Sequence, residues 1–265
     1  MKRLLTLLLA CSLGLGWGAS ALALTPEAQE KVLTAASKNV VEIGLSYRGD
    51  RIFFFGVNPV PGSDVVIKLT AEKEEAVKLS MKGRVGPFWM TVKQYEAKGA
   101  PFIYKVHTSK PLAEIISPET ARELELGYDA VRYRMKLHLI RGKAAPDDPE
   151  VVWKGLLKIK ERANLYNIVE DPKRLEIAEG KLFKHYFRFP AAATEGRYLV
   201  ESYCFQKGQL VGYGKDQIQI KKVGVESWLT HTAQNKAAFY GILAVLIAMG
   251  AGLFVGVIFR KGGHH

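Results

Sequence analysis

Residues 237–259 read AAFYGILAVLIAMGAGLFVGVIF, an apolar run that carries no charged side chain. At about 1.5 Å per helical residue, the run reaches roughly 34 Å, which is enough to cross a hydrocarbon core of about 30 Å. The sequence therefore predicts one transmembrane helix here and places everything before it on one side of a membrane.

The N-terminus has the pattern of a secretory signal peptide. A positive start, Met1 to Arg3, precedes an apolar run from Leu4 to Trp17, and Ala21-Leu22-Ala23 supplies the small residues of a cleavage site. We predict a signal peptide over 1–23. Two alternatives stay open: an uncleaved N-terminal anchor, and lipidation of Cys11.

Both ends of the chain predict the same topology. Export of the N-terminus leaves Arg260 and Lys261 on the cytoplasmic side, as the positive-inside rule prefers. The predicted order is a periplasmic domain (24–222), a juxtamembrane segment (223–236), the span (237–259) and a cytoplasmic tail (260–265). The predicted location is the bacterial inner membrane.

Charge narrows the class of partner. The formal net charge of +12 falls to +10 without Lys2 and Arg3, and to +8 when Arg260 and Lys261 are also set aside. A basic outward-facing surface suits anionic lipid headgroups or an acidic partner. A compact Lys/Arg block interleaved with aromatic residues is absent from the sequence, which argues against a nucleic-acid partner.

The exported part is dominated by short extended segments. Segments such as 64–70, 88–92 and 198–205 are separated by turn residues, which is typical of an antiparallel β-sandwich. Gly196-Arg197-Tyr198 before a strand favours an immunoglobulin-like variant. We also expect a helical lead-in over 26–37 and a hairpin over 39–55.

A helical insertion over about 111–165 interrupts the strands. Ser117-Pro118-Glu119 combines an N-cap with proline at the first helical position, and Asp147-Asp148-Pro149 predicts a second helix that ends near Ala163. The segment Tyr128–Arg141 is ambiguous. The fold class is therefore mainly β, with helical insertions and one C-terminal transmembrane helix.

The sequence offers no chemistry typical of an enzyme. It lacks Gly-x-Ser-x-Gly, a P-loop, a haem-binding motif and zinc-ligand spacing, and we interpret the scattered His107, His138, His185 and His231 as structural. Cys204 is the one cysteine left after the signal peptide, so no internal disulfide is expected. We interpret it as a partly buried thiol, with a reactive thiol as the alternative. We expect no catalytic residue, metal or cofactor.

The span carries a row of small residues: Ala244, Ala248, Gly252 and Gly256 recur every four residues. Such a row lets another helix approach closely, so it predicts a helix-packing interface. Four further residues are predicted to anchor the chain at the membrane surfaces: Trp228, Tyr240, Arg260 and Lys261.

Several segments resemble the transmembrane protein family Alph_Pro_TM, and their order spans nearly the whole mature chain. They include FGVNP at 55–59, WKGLLKIKERANLY at 153–166, EGKLF at 179–183, KVGVESW at 222–228 and FYGIL at 239–243. Family members are often reported beside TauE/SafE-type exporters, so the resemblance implies a polytopic membrane partner, such as an anion or sulfite exporter. It implies no catalytic residues.

Three functions stay open at this point. The leading hypothesis is an accessory or interaction subunit of a membrane complex, with the bilayer and a polytopic protein as partners. Self-association would use the same row of small residues. The alternative is a periplasmic anion-binding or sensing domain, and the third is an enzyme.

Overall fold

A computed structural model describes residues 30–260 of the chain. Within this range the strands are β1 (Glu30–Lys31), β2 (Leu33–Ala36), β3 (Val40–Ile43), β4 (Asp50–Val57), β5 (Asp64–Ala71), β6 (Val77–Val85), β7 (Phe88–Lys98), β8 (Tyr104–Thr108), β9 (Lys136–Arg141), β10 (Tyr166–Val169), β11 (Glu176–Ala178), β12 (Leu182–Phe189), β13 (Gly196–Gln206) and β14 (Gln209–Lys222). The helices are α1 (Leu112–Ile115), α2 (Pro118–Glu123), α3 (Tyr128–Arg134), α4 (Asp148–Arg162), α5 (Val225–Asn235) and α6 (Ala237–Arg260). The fold is mainly β, as predicted.

The large sheet is mixed rather than antiparallel. Its strand order is β1-β14-β13-β5-β8-β10, and β3 also pairs with β14. The four central strands are antiparallel, whereas β1, β3 and β10 join in parallel. Parallel neighbours need a long crossover. The predicted helical insertion supplies one, because α1 to α4 and β9 lie between β8 and β10 in the chain.

A second sheet, in the order β11-β12-β4-β2, is antiparallel and packs on one face of the large sheet. Along β12, Phe183, His185, Phe187 and Phe189 are buried and the residues between them are more exposed. Phe189 meets Tyr198 of the large sheet with ring centroids 5.6 Å apart. The two sheets therefore share one apolar core. The immunoglobulin-like description stays a prediction.

A third sheet, β6-β7-β9, is a long hairpin with β9 along one side. At the tip of the hairpin, the first three residues of β7 expose large apolar side chains, with Phe88 67%, Trp89 72% and Met90 53% accessible to solvent. Apolar side chains grouped at an exposed tip mark a surface where contact with a partner or a membrane is expected.

Two predictions near the N-terminus are wrong. The described part of the expected helical lead-in forms β1 and β2, because Val32 between them is buried where Gly212 and Gly214 leave room for it. The expected hairpin over 39–55 does not form either. β3 pairs with β14 in the large sheet while β4 pairs with β12 in the second sheet. Long-range strand pairing has overridden local preference in both places.

Other local predictions are confirmed. α2 begins after Ser117, whose hydroxyl accepts a hydrogen bond from the Thr120 backbone N–H, and α4 runs from Asp148 to Arg162. The ambiguous segment Tyr128–Arg141 divides into α3 and β9. Cys204 is fully buried, and burial raises the pKa of its thiol to about 12, which disfavours the nucleophilic thiolate.

Candidate functional site

α6 is the candidate membrane-spanning helix. By length and composition, Ala237–Val257 is sufficient to cross a membrane, and none of it is buried against the rest of the described chain. A long, uniformly apolar helix that packs on nothing needs an apolar solvent around it. The predicted signal peptide lies outside the described residues.

The row of small residues lies along one side of α6. With 3.6 residues per turn, Ala244, Ala248, Gly252 and Gly256 follow each other with a slow drift around the helix axis. A Cβ atom added at Gly252 or Gly256 would meet nothing within 4 Å. The helix-packing interface therefore stays a prediction, on a face that nothing in the described chain covers.

The predicted anchors lie on two helices. Trp228 is half exposed on α5, the helix that joins β14 to the span, and Tyr240 lies in the first turn of α6. Arg260 ends α6, about 30 Å along the axis from Tyr240, and Lys261 lies outside the described residues. This spacing matches the thickness of a bilayer core.

The β domain holds a first polar cluster on the helix-covered face of the large sheet. This roofed cluster consists of Lys68, Glu201, Tyr203 and Tyr213, beside a cavity of about 390 Å³. Lys68 Nζ lies 2.9 Å from Glu201 Oε2 and donates to the Leu124 carbonyl at 2.9 Å. The Tyr213 hydroxyl donates to Glu201 Oε1 at 2.8 Å.

The charges of the roofed cluster satisfy one another. Burial favours a raised pKa for Glu201, but the attraction of Lys68 and the hydrogen bonds from Lys68 and Tyr213 outweigh it, so the pKa is lowered. Arg134, the last residue of α3, forms ion pairs with Glu125 and Glu74 and so fixes the helices that cover the cluster. This arrangement stabilises the fold and compensates the buried charges of Lys68 and Glu201 within the chain.

A second polar cluster lies between the two packed sheets, in a cavity of about 290 Å³. This basic cleft is lined by Lys105, His107, Asn164, Asn167, Arg174, His185, Tyr186 and Arg188. Lys105, His107 and His185 are buried, whereas Arg174 and Arg188 are exposed. None of its lining residues carries a carboxylate, which sets it apart from the roofed cluster.

Lys105 forms the floor of the basic cleft and is only 3% exposed. Its ammonium group donates to the Arg188 carbonyl at 2.7 Å and to Asn164 Oδ1 at 3.4 Å, both neutral acceptors. Burial, together with repulsion from the Arg188 guanidinium, lowers the pKa of Lys105 to about 8. The ammonium group is thus charged at neutral pH but has no counter-charge.

Two histidines complete the floor. The rings of His107 on β8 and His185 on β12 meet edge to face, with centroids 4.3 Å apart. His185 Nδ1 lies 3.0 Å from the Arg174 carbonyl, so Nδ1 carries the proton and Nε2 the lone pair. His185 Nε2 and both ring nitrogens of His107 are buried without a hydrogen-bond partner in the described chain.

The surroundings keep both histidines neutral. Burial, with repulsion from His185, Lys105 and Arg174, lowers the pKa of His107 to about 2. Burial also lowers the pKa of His185 to about 4, against the raising effect of its bond to the Arg174 carbonyl. Buried polar atoms normally have partners, so these three nitrogens require an explanation.

A neighbouring cavity extends the positive charge. It shares Asn164 and Arg188 with the basic cleft and adds Arg48 and Arg51. Arg51 and Arg188 lie directly opposite each other in the β4–β12 ladder, where like charges are destabilising. Its one carboxylate, Asp50, is paired with Lys38 at 2.8 Å.

Sequence reasoning missed the basic cleft. We interpreted His107 and His185 as separate structural histidines, and the fold brings them into contact from strands 78 positions apart. The alternation of Lys105 and His107 within a buried strand was the one local signal. Within the part of the chain that the structure describes, no group of acidic, histidine or cysteine side chains could hold a metal ion.

The comparison with known families bears on α6. A family model described as putative transmembrane protein (Alph_Pro_TM) matches residues 31–261, which is most of the chain and includes the span. The chain belongs to this family. No curated protein matches the chain.

Proposed function

We propose that this member of the Alph_Pro_TM family is a single-pass protein of the bacterial inner membrane that acts as an accessory or interaction subunit. α6 would hold the β domain at the periplasmic surface. The observation that carries the proposal is the 24-residue α6, which is apolar on all sides and covered by nothing in the described chain.

Two features favour an interaction subunit over a simple anchor. The small-residue face of α6 is shaped for close contact with another helix, because Gly252 and Gly256 have open space beside them. The tip of the β6–β7 hairpin offers the exposed Phe88, Trp89 and Met90 as a second apolar contact. The proposed partner is a polytopic membrane protein, for which an anion exporter is the candidate.

Cysteine labelling tests the topology. Cys204 is buried, so a membrane-impermeant maleimide should not reach it in folded protein. We expect the reagent to label Lys154→Cys, an exposed position on α4, in intact spheroplasts, and to label Lys261→Cys only after lysis. Labelling of Lys261→Cys in intact cells, or release of the protein by alkaline carbonate, would contradict a single-pass anchor.

Co-purification in mild detergent tests the accessory role. We expect a defined membrane protein to accompany the wild type and to be lost from Gly252→Leu/Gly256→Leu. Gly250→Leu is the matched control, because Gly250 lies on the opposite side of α6 and also has open space beside it. A chain that purifies alone in all three forms argues against an accessory subunit.

A further inference from the structure

We infer that the basic cleft is a binding site for one doubly charged tetrahedral oxyanion of the sulfate or phosphate class, held by Lys105, Arg174 and Arg188 above the two buried histidines. This inference goes beyond the proposed membrane role and does not depend on it. It gives the anion-binding alternative a specific place in the fold.

The first argument compares the buried lysines. Among described residues, the buried lysines are Lys68, Lys105 and Lys160. Lys68 is paired with Glu201 at 2.9 Å and Lys160 with Glu75 at 3.2 Å, whereas Lys105 contacts only neutral oxygens. A buried charge is normally compensated by an opposite charge. In the cleft, a bound anion would supply it.

The second argument is the shortage of negative charge around the cleft. Lys105, Arg174 and Arg188 contribute three positive charges, and no carboxylate lines the cavity. The nearest cavity adds Arg48 and Arg51, and its Asp50 is already taken by Lys38. A concave site with charge of one sign attracts and holds an ion of the other sign. This surplus of positive charge favours a divalent anion over a monovalent one.

The third argument is the direction and type of the donors. β8, β12 and the segments before β10 and β11 each contribute polar groups, so donors surround the cavity from several sides. Guanidinium groups suit oxyanions because they donate two parallel hydrogen bonds. A cavity of about 290 Å³ fits a small ion with a few waters rather than a nucleotide. Donors from several directions match a tetrahedral ion better than a flat carboxylate.

The histidines couple the site to protons. His185 already donates through Nδ1 to the Arg174 carbonyl, so Nε2 can donate to an anion only after it binds a second proton. The charged groups that act on the histidine pair, Lys105 and Arg174, are both positive and suppress that protonation. A bound dianion would offset them. Anion binding should therefore take up protons and tighten as pH falls.

The test is calorimetric titration of the full chain in neutral detergent with sodium sulfate, at constant ionic strength in chloride. Hydrogen bonds to charged groups imply that Arg188→Gln and Lys105→Met each weaken sulfate binding about tenfold or more. The matched control is Lys184→Gln, which removes an exposed charge from the same strand outside the cleft and should change affinity by less than about twofold.

Two further arms sharpen the assignment. Sulfate stays a dianion between pH 7 and pH 5.5, and the histidines should gain protons in this range only in the sulfate-bound protein, where the dianion offsets the positive charge around them. Sulfate should therefore bind more tightly at pH 5.5 than at pH 7. Sodium acetate, flat and monovalent, should bind about tenfold more weakly than sulfate. Equal affinity for acetate and sulfate would overturn the tetrahedral dianion as the ligand class.

The anion could come from solution or from a lipid headgroup, and reconstitution distinguishes the two. In lipid discs, a headgroup phosphate in the cleft would make phosphatidylglycerol weaken sulfate binding relative to phosphatidylcholine. A site for free anions would bind sulfate equally in both. Either result supports the site. Sulfate binding that survives Arg188→Gln and Lys105→Met unchanged, or no binding of sulfate, phosphate or anionic lipid, would overturn it.

Discussion

Lys68 and Lys105 lie on neighbouring strands of one sheet, β5 and β8, and both are almost fully buried. Lys68 points to the helix-covered face and meets Glu201, whereas Lys105 points between the two sheets and meets no carboxylate. A buried lysine is therefore paired with a carboxylate on one face of the large sheet and lacks one on the other face.

The difference separates a structural site from a candidate binding site. In the roofed cluster each buried charge has a partner within the chain, so removal of one partner should harm folding. In the basic cleft the buried charge is left uncompensated, which costs stability in the absence of a ligand. Positions that reduce stability in this way are common where proteins bind or react. The following variants test that contrast.

The largest effect is expected in the roofed cluster. Glu201→Leu leaves Lys68 buried without its counter-charge and should lower the free energy of unfolding by about 3 kcal/mol or more. Urea unfolding of the full chain in detergent, followed through the buried Trp153, measures this change. The double variant Lys68→Met/Glu201→Leu should recover most of the loss. If Glu201→Leu were as stable as the wild type, the Lys68–Glu201 pair would not stabilise the fold, and the proposed difference between the two clusters would be wrong.

In ligand-free buffer, Lys105→Met removes a buried charge that has no partner, rather than a partner of a buried charge as in Glu201→Leu. The folded protein holds the Lys105 pKa near 8, below the unfolded value, so the unfolded chain binds more protons between pH 8 and about 10. Wild-type stability should thus rise through this window by up to about 1.4 kcal/mol per pH unit from this group. The same urea experiment at several pH values should show that the variant lacks this rise. A parallel rise in both proteins would contradict an uncompensated Lys105.

The histidines should make the fold sensitive to mild acid. Their folded pKa values lie below the unfolded value near 6.5, so between pH 6.5 and 5 only the unfolded chain gains these protons. Wild-type stability should therefore fall within this range by up to about 1.4 kcal/mol per pH unit for each histidine. His185→Phe should reduce this loss, and the control His138→Gln, an exposed histidine on β9, should not. Sulfate should protect the wild type more than His185→Phe.

The smallest effect concerns one hydrogen bond of the roofed cluster. Tyr213→Phe removes the donor to Glu201 Oε1 but leaves Lys68 in place, so it should lower the free energy of unfolding by about 1.5 kcal/mol. The matched change in the cleft is Tyr186→Phe, which removes the hydroxyl of a half-buried tyrosine that lines the cavity. That variant should leave the free energy of unfolding nearly unchanged. A loss as large as that of Tyr213→Phe would show that the cleft contributes to the stability of the fold.

Local patterns in the sequence predicted much of the fold. The start of α4 at Asp148, the strands β12 to β14 and the extent of α6 all followed from capping residues, alternation or apolar length. These signals are local, since each depends on residues within a few positions of one another. Predictions failed where distant pairing decided the outcome, as in β1, β2 and β3.

The sequence by itself determined the candidate membrane span, the β-rich character of the chain before it and the basic balance of charge, because composition and periodicity carry that information directly. Only the tertiary structure decided which charges are compensated. Alternation tells which residues share one face of a strand, but not which strand lies opposite that face. For this reason Lys68 and Lys105 look alike in the sequence, and the fold alone places a carboxylate beside the first and two histidines beside the second.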